Sequence, residues 1–203
     1  MRAYRAKDMA DSKADLLAGA GGLVTDDAQS DHQGRKALLL VRNNEDCDEF
    51  IALAKTMGIN IVDRVDQRGR SDAKWFLGQG KLQDVTEELR SASHGHPWNG
   101  VDLLLLHTNA TPRQLVGVND AVGIEVWDRV RLLLALFTAH ASSVEARTQV
   151  RIARLQSDRT VLREVVKQQT TGERAGYGGA GQTAAGSVLT NVNRELAALR
   201  KRQ

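Results

Sequence analysis

One stretch constrains this chain more than any other. From Gly123 it reads Gly-Ile-Glu-Val-Trp-Asp-Arg-Val-Arg-Leu-Leu-Leu-Ala-Leu-Phe and continues past Arg163; after a buried strand end, Ile124 to Trp127, roughly 40 residues pass without glycine or proline. At 1.5 Å per residue, an unbroken helix of that length would measure about 60 Å, far beyond the usual globular helix. Such a helix must leave the domain body. Val130, Leu134, Phe137, Ala141, Val144, Thr148, Ile152, Leu155, Leu162 and Val166 recur at spacings of three, four or seven, which predicts one apolar stripe along it. Leu189, Val192, Leu196 and Leu199 repeat at three and four and supply the partner, so an antiparallel helical hairpin is expected. Thr170 to Gly186 contains six glycines. Each disfavours a helix by about 1 kcal/mol, so this segment reads as a flexible tip loop.

The residues before the hairpin alternate between strand and helix. Ala37–Val41 is a continuous apolar run, followed by the capping cluster Asn43-Asn44-Glu45-Asp46 and a helix with Phe50, Leu53, Ala54 and Met57 on one face. Gly58 is placed to end that helix. Ile59–Val65 reads as a strand, Gly78–Ser93 as a helix with Leu82, Val85 and Leu89 inward, Val101–Leu106 as a buried strand, Pro112–Ala121 as a helix and Ile124–Val126 as a strand. Apolar strands alternating with helices predict a small parallel four-stranded sheet flanked by helices, an α/β body. The expected domains are a disordered leader at 1–35, the body at 36–128 and the hairpin arm at 129–203, with its tip loop at 170–186.

Charge is distributed unevenly. Residues 147–203 carry 11 Lys or Arg against 4 Asp or Glu, whereas the first 146 carry 17 against 21. Such separation bears on partners rather than on fold, and a basic projection suits a polyanion. No apolar run is long enough to span a membrane, and the N-terminus has no apolar signal core. The single cysteine, Cys47, permits no intrachain disulfide and makes the cytoplasm the default location.

The motifs argue against several chemistries. Trp75-Phe-Leu-Gly-Gln-Gly-Lys81-Leu82 resembles a phosphate loop but lacks the leading glycine and the Ser/Thr after lysine, so no nucleotide is expected. Gly78 and Gly80 are read instead as permitting a tight strand-to-helix turn. His94, His96, His107 and His140 lack the companion ligands of a metal site, so no metal is expected. Cys47 has no base at a readable spacing and is taken as packing or surface, leaving no catalytic residue assigned. In the tip, Arg174 could clamp a phosphate, Tyr177 could stack on a base, and Gly178, Gly179 and Gly181 would let bare backbone approach RNA beside Gln182.

Three segments together resemble a known family. Asp72-Ala-Lys-Trp-Phe-Leu-Gly-Gln-Gly-Lys-Leu is similar to the Tyr-Ile-Gly-Lys-Gly-Lys-Leu box in the N-terminal domain of HflX-type GTPases. Thr111-Pro-Arg-Gln-Leu resembles that family's Ser-Pro-Ser-Gln-Gln, and Gly123–Phe137 resembles its Val-x-Asp-Arg-Thr-x-Leu-Ile-Leu-x-Ile-Phe signature, centred on Asp128-Arg129. The resemblance runs over roughly 37–186 and implies an α/β body followed by a two-helix arm. In that family the arm enters the large ribosomal subunit, its loop approaching the peptidyl-transferase centre, and a GTPase domain follows. This sequence stops at Gln203, where that domain is expected to begin, and its tip reads Gly178-Gly-Ala-Gly-Gln-Thr-Ala-Ala-Gly rather than the family's Gly-Gly-Pro-Gly-Glu-Thr-Gln-Leu-Glu-Thr.

The expected function is ribosome binding without GTP hydrolysis. Arg147, Arg151, Arg154, Arg159, Arg163 and Lys167 are the expected contacts to ribosomal RNA phosphates, with the tip loop blocking transfer RNA in hibernation, silencing or subunit dissociation. A regulatory module for a separate GTPase is the alternative, readable from whether the last helix leaves its apolar face uncovered. A hydrolase acting on peptidyl-transfer RNA through Gln182 is a third reading.

Overall fold

In a computed structural model of the protein, residues 32–173 and 184–201 are described. They form β1 (Lys36–Arg42), α1 (Asp48–Thr56), β2 (Asn60–Gln67), α2 (Gln79–Ser91), β3 (Leu103–Leu106), α3 (Pro112–Val122), β4 (Glu125–Trp127), α4 (Arg129–His140), α5 (Val144–Glu173) and α6 (Ala184–Arg200). The four strands make one parallel sheet in the order β2-β1-β3-β4. The α/β class and flanked parallel sheet expected from the apolar runs are therefore observed.

Parallel strands joined by helices are covered on both faces. Ala37, Leu39, Leu103, Leu105 and Trp127 line one face with Phe50 and Ala54 of α1 and Leu132 of α4, all essentially without solvent contact. Leu38, Leu40, Leu104 and Leu106 alternate to the opposite face and are equally buried. The end of α1 follows the expected chemistry, and two further local devices appear beside it. Gly58 and Gly123 take left-handed φ of 75° and 80°, and Thr111 and Gln114 form a reciprocal capping box around Pro112. The cluster at 43–46 departs from expectation. Asn43 and Asn44 are themselves left-handed, at φ 55° and 51°, and Cys47 occupies the cap of α1 without a side-chain bond.

The loop between β2 and α2 is latched from several directions. Gln67 Oε1 accepts from Gly78 N at 2.6 Å and from Arg42 at 3.1 Å, and Arg42 also donates to the Arg70 carbonyl. Asp72 Oδ1 accepts from Lys74 N and Trp75 N at 2.6 and 2.8 Å. From α3, Gln114 Nε2 donates to Ser71 Oγ and the Asp72 carbonyl at 3.0 and 2.6 Å. A Cβ on Gly117 would collide with the Lys74 carbonyl, so glycine lets this loop lie on the helix. Gly78 is not left-handed, at φ −63°; a Cβ added there would stand only 3.0 Å from Gln67 Nε2. Instead Phe76, at φ 62°, takes the strained conformation, turning itself and Leu77 inward while Trp75 stays half-buried.

The expected continuous helix is broken. α4 ends at His140 and α5 begins at Val144, because Ser143 is a competent N-cap: its Oγ accepts from Ala146 N at 3.0 Å. The stripe's phase also fails in α4. Leu132 enters the core, whereas Val130 and Phe137 are 40% and 54% exposed, as is Val144 at the start of α5, at 65%. Two compact units meet in sequence at His140/Ala141, so α4 belongs with the sheet and the expected body boundary at 128/129 moves twelve residues onward. In the second unit Ile152, Leu155, Val161, Leu162 and Val165 of α5 are buried, as are Ala185, Val192 and Leu196 of α6. Arg151, early in α5, pairs with Glu195, late in α6, as an antiparallel pair requires. Of the expected leader 1–35, residues 1–31 lie outside the described residues, as do 174–183 of the expected tip loop 170–186; its ends depart from expectation, 170–173 continuing α5 and 184–186 opening α6. Among the described residues, no helix is long and apolar enough to cross a membrane.

Asp128 caps α4, Oδ1 accepting from Arg131 N at 2.9 Å and Oδ2 from Ala110 N at 3.1 Å. Burial nevertheless raises its pKa above the ordinary 3.8, outweighing these bonds and the Arg131 charge. The folded state therefore holds this proton more tightly than the unfolded chain. Asp128's contribution to stability should fall as pH rises from about 3.8 to its raised value and stay flat above. Urea denaturation across that range should show this decline for the native protein relative to Asp128→Asn, which cannot titrate.

Candidate nucleic-acid interface

The basic residues singled out in the sequence are distributed along one helix. Arg147, Arg151 and Arg154 are spaced by four and three, and Arg159, Arg163 and Lys167 by four, so they form two rows on successive turns of α5. Arg147, Arg163 and Lys167 are exposed. Arg151, Arg154 and Arg159 are half-buried, their stems lying along the apolar seam as long cationic side chains commonly do.

The six are not equivalent electrostatically. Arg151 places Nε and Nη2 each 2.8 Å from Glu195 Oε1, so much of its charge is already answered from α6. Arg159 Nε is shielded from solvent without a hydrogen-bond partner. Asp158, a buried carboxylate on the same helix, offsets part of the positive charge of that turn. By exposure alone, Arg147, Arg163 and Lys167 are the most open of the six. Arg174, Tyr177, Gly178, Gly179, Gly181 and Gln182 lie outside the described residues.

Sequence reasoning missed Glu195 as the neutralising partner of Arg151. The signal was present, because an antiparallel pair brings the start of α5 beside the end of α6. It also missed Ser143. The other candidate groups are structural. Cys47 is buried with Arg64 Nη1 at 3.2 Å from its sulfur, and burial raises its pKa despite that guanidinium, which disfavours the nucleophilic thiolate. His107 stands edge-on to Phe50 at 5.4 Å, His96 edge-on to Trp98 at 6.0 Å, and His140 Nδ1 lies 2.8 Å from the Leu136 carbonyl. Asp128 and Arg129 tie elements together, Arg129 reaching Glu49 of α1 at 2.6 Å.

Comparison with known proteins agrees with this architecture. Residues 44–138 match the family described as GTP-binding GTPase N-terminal. The chain is 30% identical to the GTPase HflX of Hyperthermus butylicus over 161 residues, covering 76% of this chain and 42% of that protein. Against the GTPase HflX of Methanocaldococcus jannaschii it is 28% identical over 155 residues, covering 76% and 37%. It thus spans under half the length of these relatives. A GTP-binding protein of Sulfolobus solfataricus, solved in complex with GDP, superposes with a TM-score of 0.54 at 21% identity, covering 82% of this chain and 46% of that one; this likeness concerns the fold.

Glu195→Ala would unpair Arg151. A half-exposed ion pair is worth about 0.2–1 kcal/mol, so the helical pair should lose at most that much stability by thermal melting. Retention on a heparin column should move to higher salt, because one more cation becomes available.

Proposed function

Since the chain carries the N-terminal domain of the HflX-type GTPases, we propose that it binds the large ribosomal subunit and acts by occupying it. One observation carries the reading. The positive excess of residues 147–203 rides on a helical pair whose apolar residues face each other, leaving Arg147, Arg163 and Lys167 to solvent. A thin pair of helices gains nothing from concentrated like charge unless a polyanion neutralises it, and ribosomal RNA is the polyanion that the family relationship favours.

In this proposal the arm begins at Ala141 and delivers the tip loop, with Arg174, Tyr177 and the glycines around Gln182, to the peptidyl-transferase centre. There it excludes transfer RNA, as a hibernation, silencing or subunit-dissociation factor would. No step of this action is catalytic for the chain described. The alternative of a module regulating a separate GTPase loses support from α6, whose Val192 and Leu196 are buried. The hydrolase reading rests on Gln182 and ends if Gln182→Ala leaves peptidyl-transfer RNA turnover unchanged.

Pelleting with purified subunits tests the proposal. The protein should sediment with the large subunit and be released as salt rises, with a log–log slope of about −2 or steeper from three phosphate contacts. Arg163→Glu combined with Lys167→Glu should weaken association at least ten-fold without altering the helical circular dichroism. Preference for the small subunit, or indifference to salt, would overturn it.

A further inference from the structure

A second concave surface lies in the α/β unit, away from every residue assigned above. A groove of about 330 Å³ opens between α2 and α3, near the lower end of the size range of small-ligand pockets. Trp75 forms one wall, and the buried Leu82 and Thr86 with Ala121 form its base. The rim comes from one face of α2, where Gln79, Gln83, Glu87 and Arg90 follow at spacings of four, four and three.

We propose that this groove binds a nucleobase, stacked on Trp75 and read at its edge by the α2 rim. The chemistry selects that class. A base offers a flat apolar face together with donors and acceptors around its edge, and the groove offers an indole beside two carboxamides, a carboxylate and a guanidinium. An aliphatic or phenyl side chain would use the indole but leave the rim without a role. Lys74 Nζ already lies over one face of the Trp75 ring, 4.8 Å from its centre, so a base stacks on the other face.

The indole is held ready. Asp72 fixes the amides of Lys74 and Trp75, Gln114 holds the Asp72 carbonyl, and Gly117 admits the Lys74 carbonyl against α3. The left-handed Phe76 then sends its own ring into the core and leaves its neighbour on the wall. A platform fixed in this way loses little freedom on stacking.

The shared chemistry is the base, whether in an RNA strand or in a free nucleotide. Only the RNA source rests on the function proposed above. Trp98 and Trp127 are buried at 5% and 1% exposure, so a ligand-induced change in tryptophan emission reports chiefly on Trp75. The test titrates the full chain with a single-stranded heptaribonucleotide, with nucleoside monophosphates and with an aromatic-rich peptide, and follows a labelled RNA by anisotropy in parallel. Saturable quenching is expected. Trp75→Leu should weaken binding about ten-fold or more, within the range for loss of one base–aromatic stack. Trp75→Phe should retain most of it, and Gln83→Ala, on the solvent side of α2, should weaken it several-fold with unchanged circular dichroism. Quenching by monophosphates would assign a free nucleotide, and quenching by the strand alone would assign RNA. Emission unmoved by either, equal binding by Trp75→Leu, or response only to the peptide would overturn the proposal. Because Arg163→Glu with Lys167→Glu leaves the groove intact, quenching that survives in that variant while subunit pelleting is lost separates this site from the arm.

Discussion

Two apolar faces of one short sheet must both be kept from water, and most of the first unit follows from that. Leu38, Leu40, Leu104 and Leu106 point one way while Leu39, Leu103, Leu105 and Trp127 point the other, all buried. Fully burying such a side chain contributes about 1.5–3 kcal/mol, so each face needs its own helices. Residues α1 and α4 contribute, Phe50, Ala54 and Leu132, cover one face. Leu82, Val85, Leu115 and Val118 of α2 and α3 are buried with the other set. The demand for Leu132 holds α4 against the sheet. The pull of that core and the cap at Ser143 together turn one uninterrupted apolar-periodic stretch into two helices in two units.

The second unit is governed by a competition between packing and charge. Its helices have enough apolar residues to cover each other, and what remains outward is basic. The pairing removes part of that charge, since Glu195 answers Arg151 and Asp158 is buried along α5. Six arginines and lysines that look alike in a linear sequence therefore separate into an exposed set and a half-buried set.

Much of the fold was legible. Ala37–Val41 and Val101–Leu106 are continuous apolar runs of strand length, and both contain strands in the sheet. Gly58, Gly123 and the Thr111–Gln114 box are local signals whose chemistry needs no tertiary partner. The break at Ser143 was less legible, because serine is tolerated inside helices and its capping role is decided by whether the chain bends there. The Gly78 box illustrates a subtler failure. Two glycines suggested a tight strand-to-helix turn, but the left-handed backbone falls on Phe76, and a Cβ on Gly78 would crowd the Gln67 side chain. The groove beside Trp75 was not legible at all, since its lining comes from the 68–78 loop, α2 and α3, segments whose juxtaposition no linear pattern records.

The sequence by itself determined the alternation of strands and helices, the parallel sheet that alternation demands, and the concentration of positive charge after residue 146. These are local or additive properties: apolar periodicity, cap chemistry and charge counts depend on neighbours within a few positions. Tertiary structure alone decided where the long apolar stretch breaks, which arginines face water, and that Trp75 stands at the edge of a groove. Those outcomes depend on which side of a helix meets the core and which carboxylate reaches across from another element, and both are fixed only when distant segments pack.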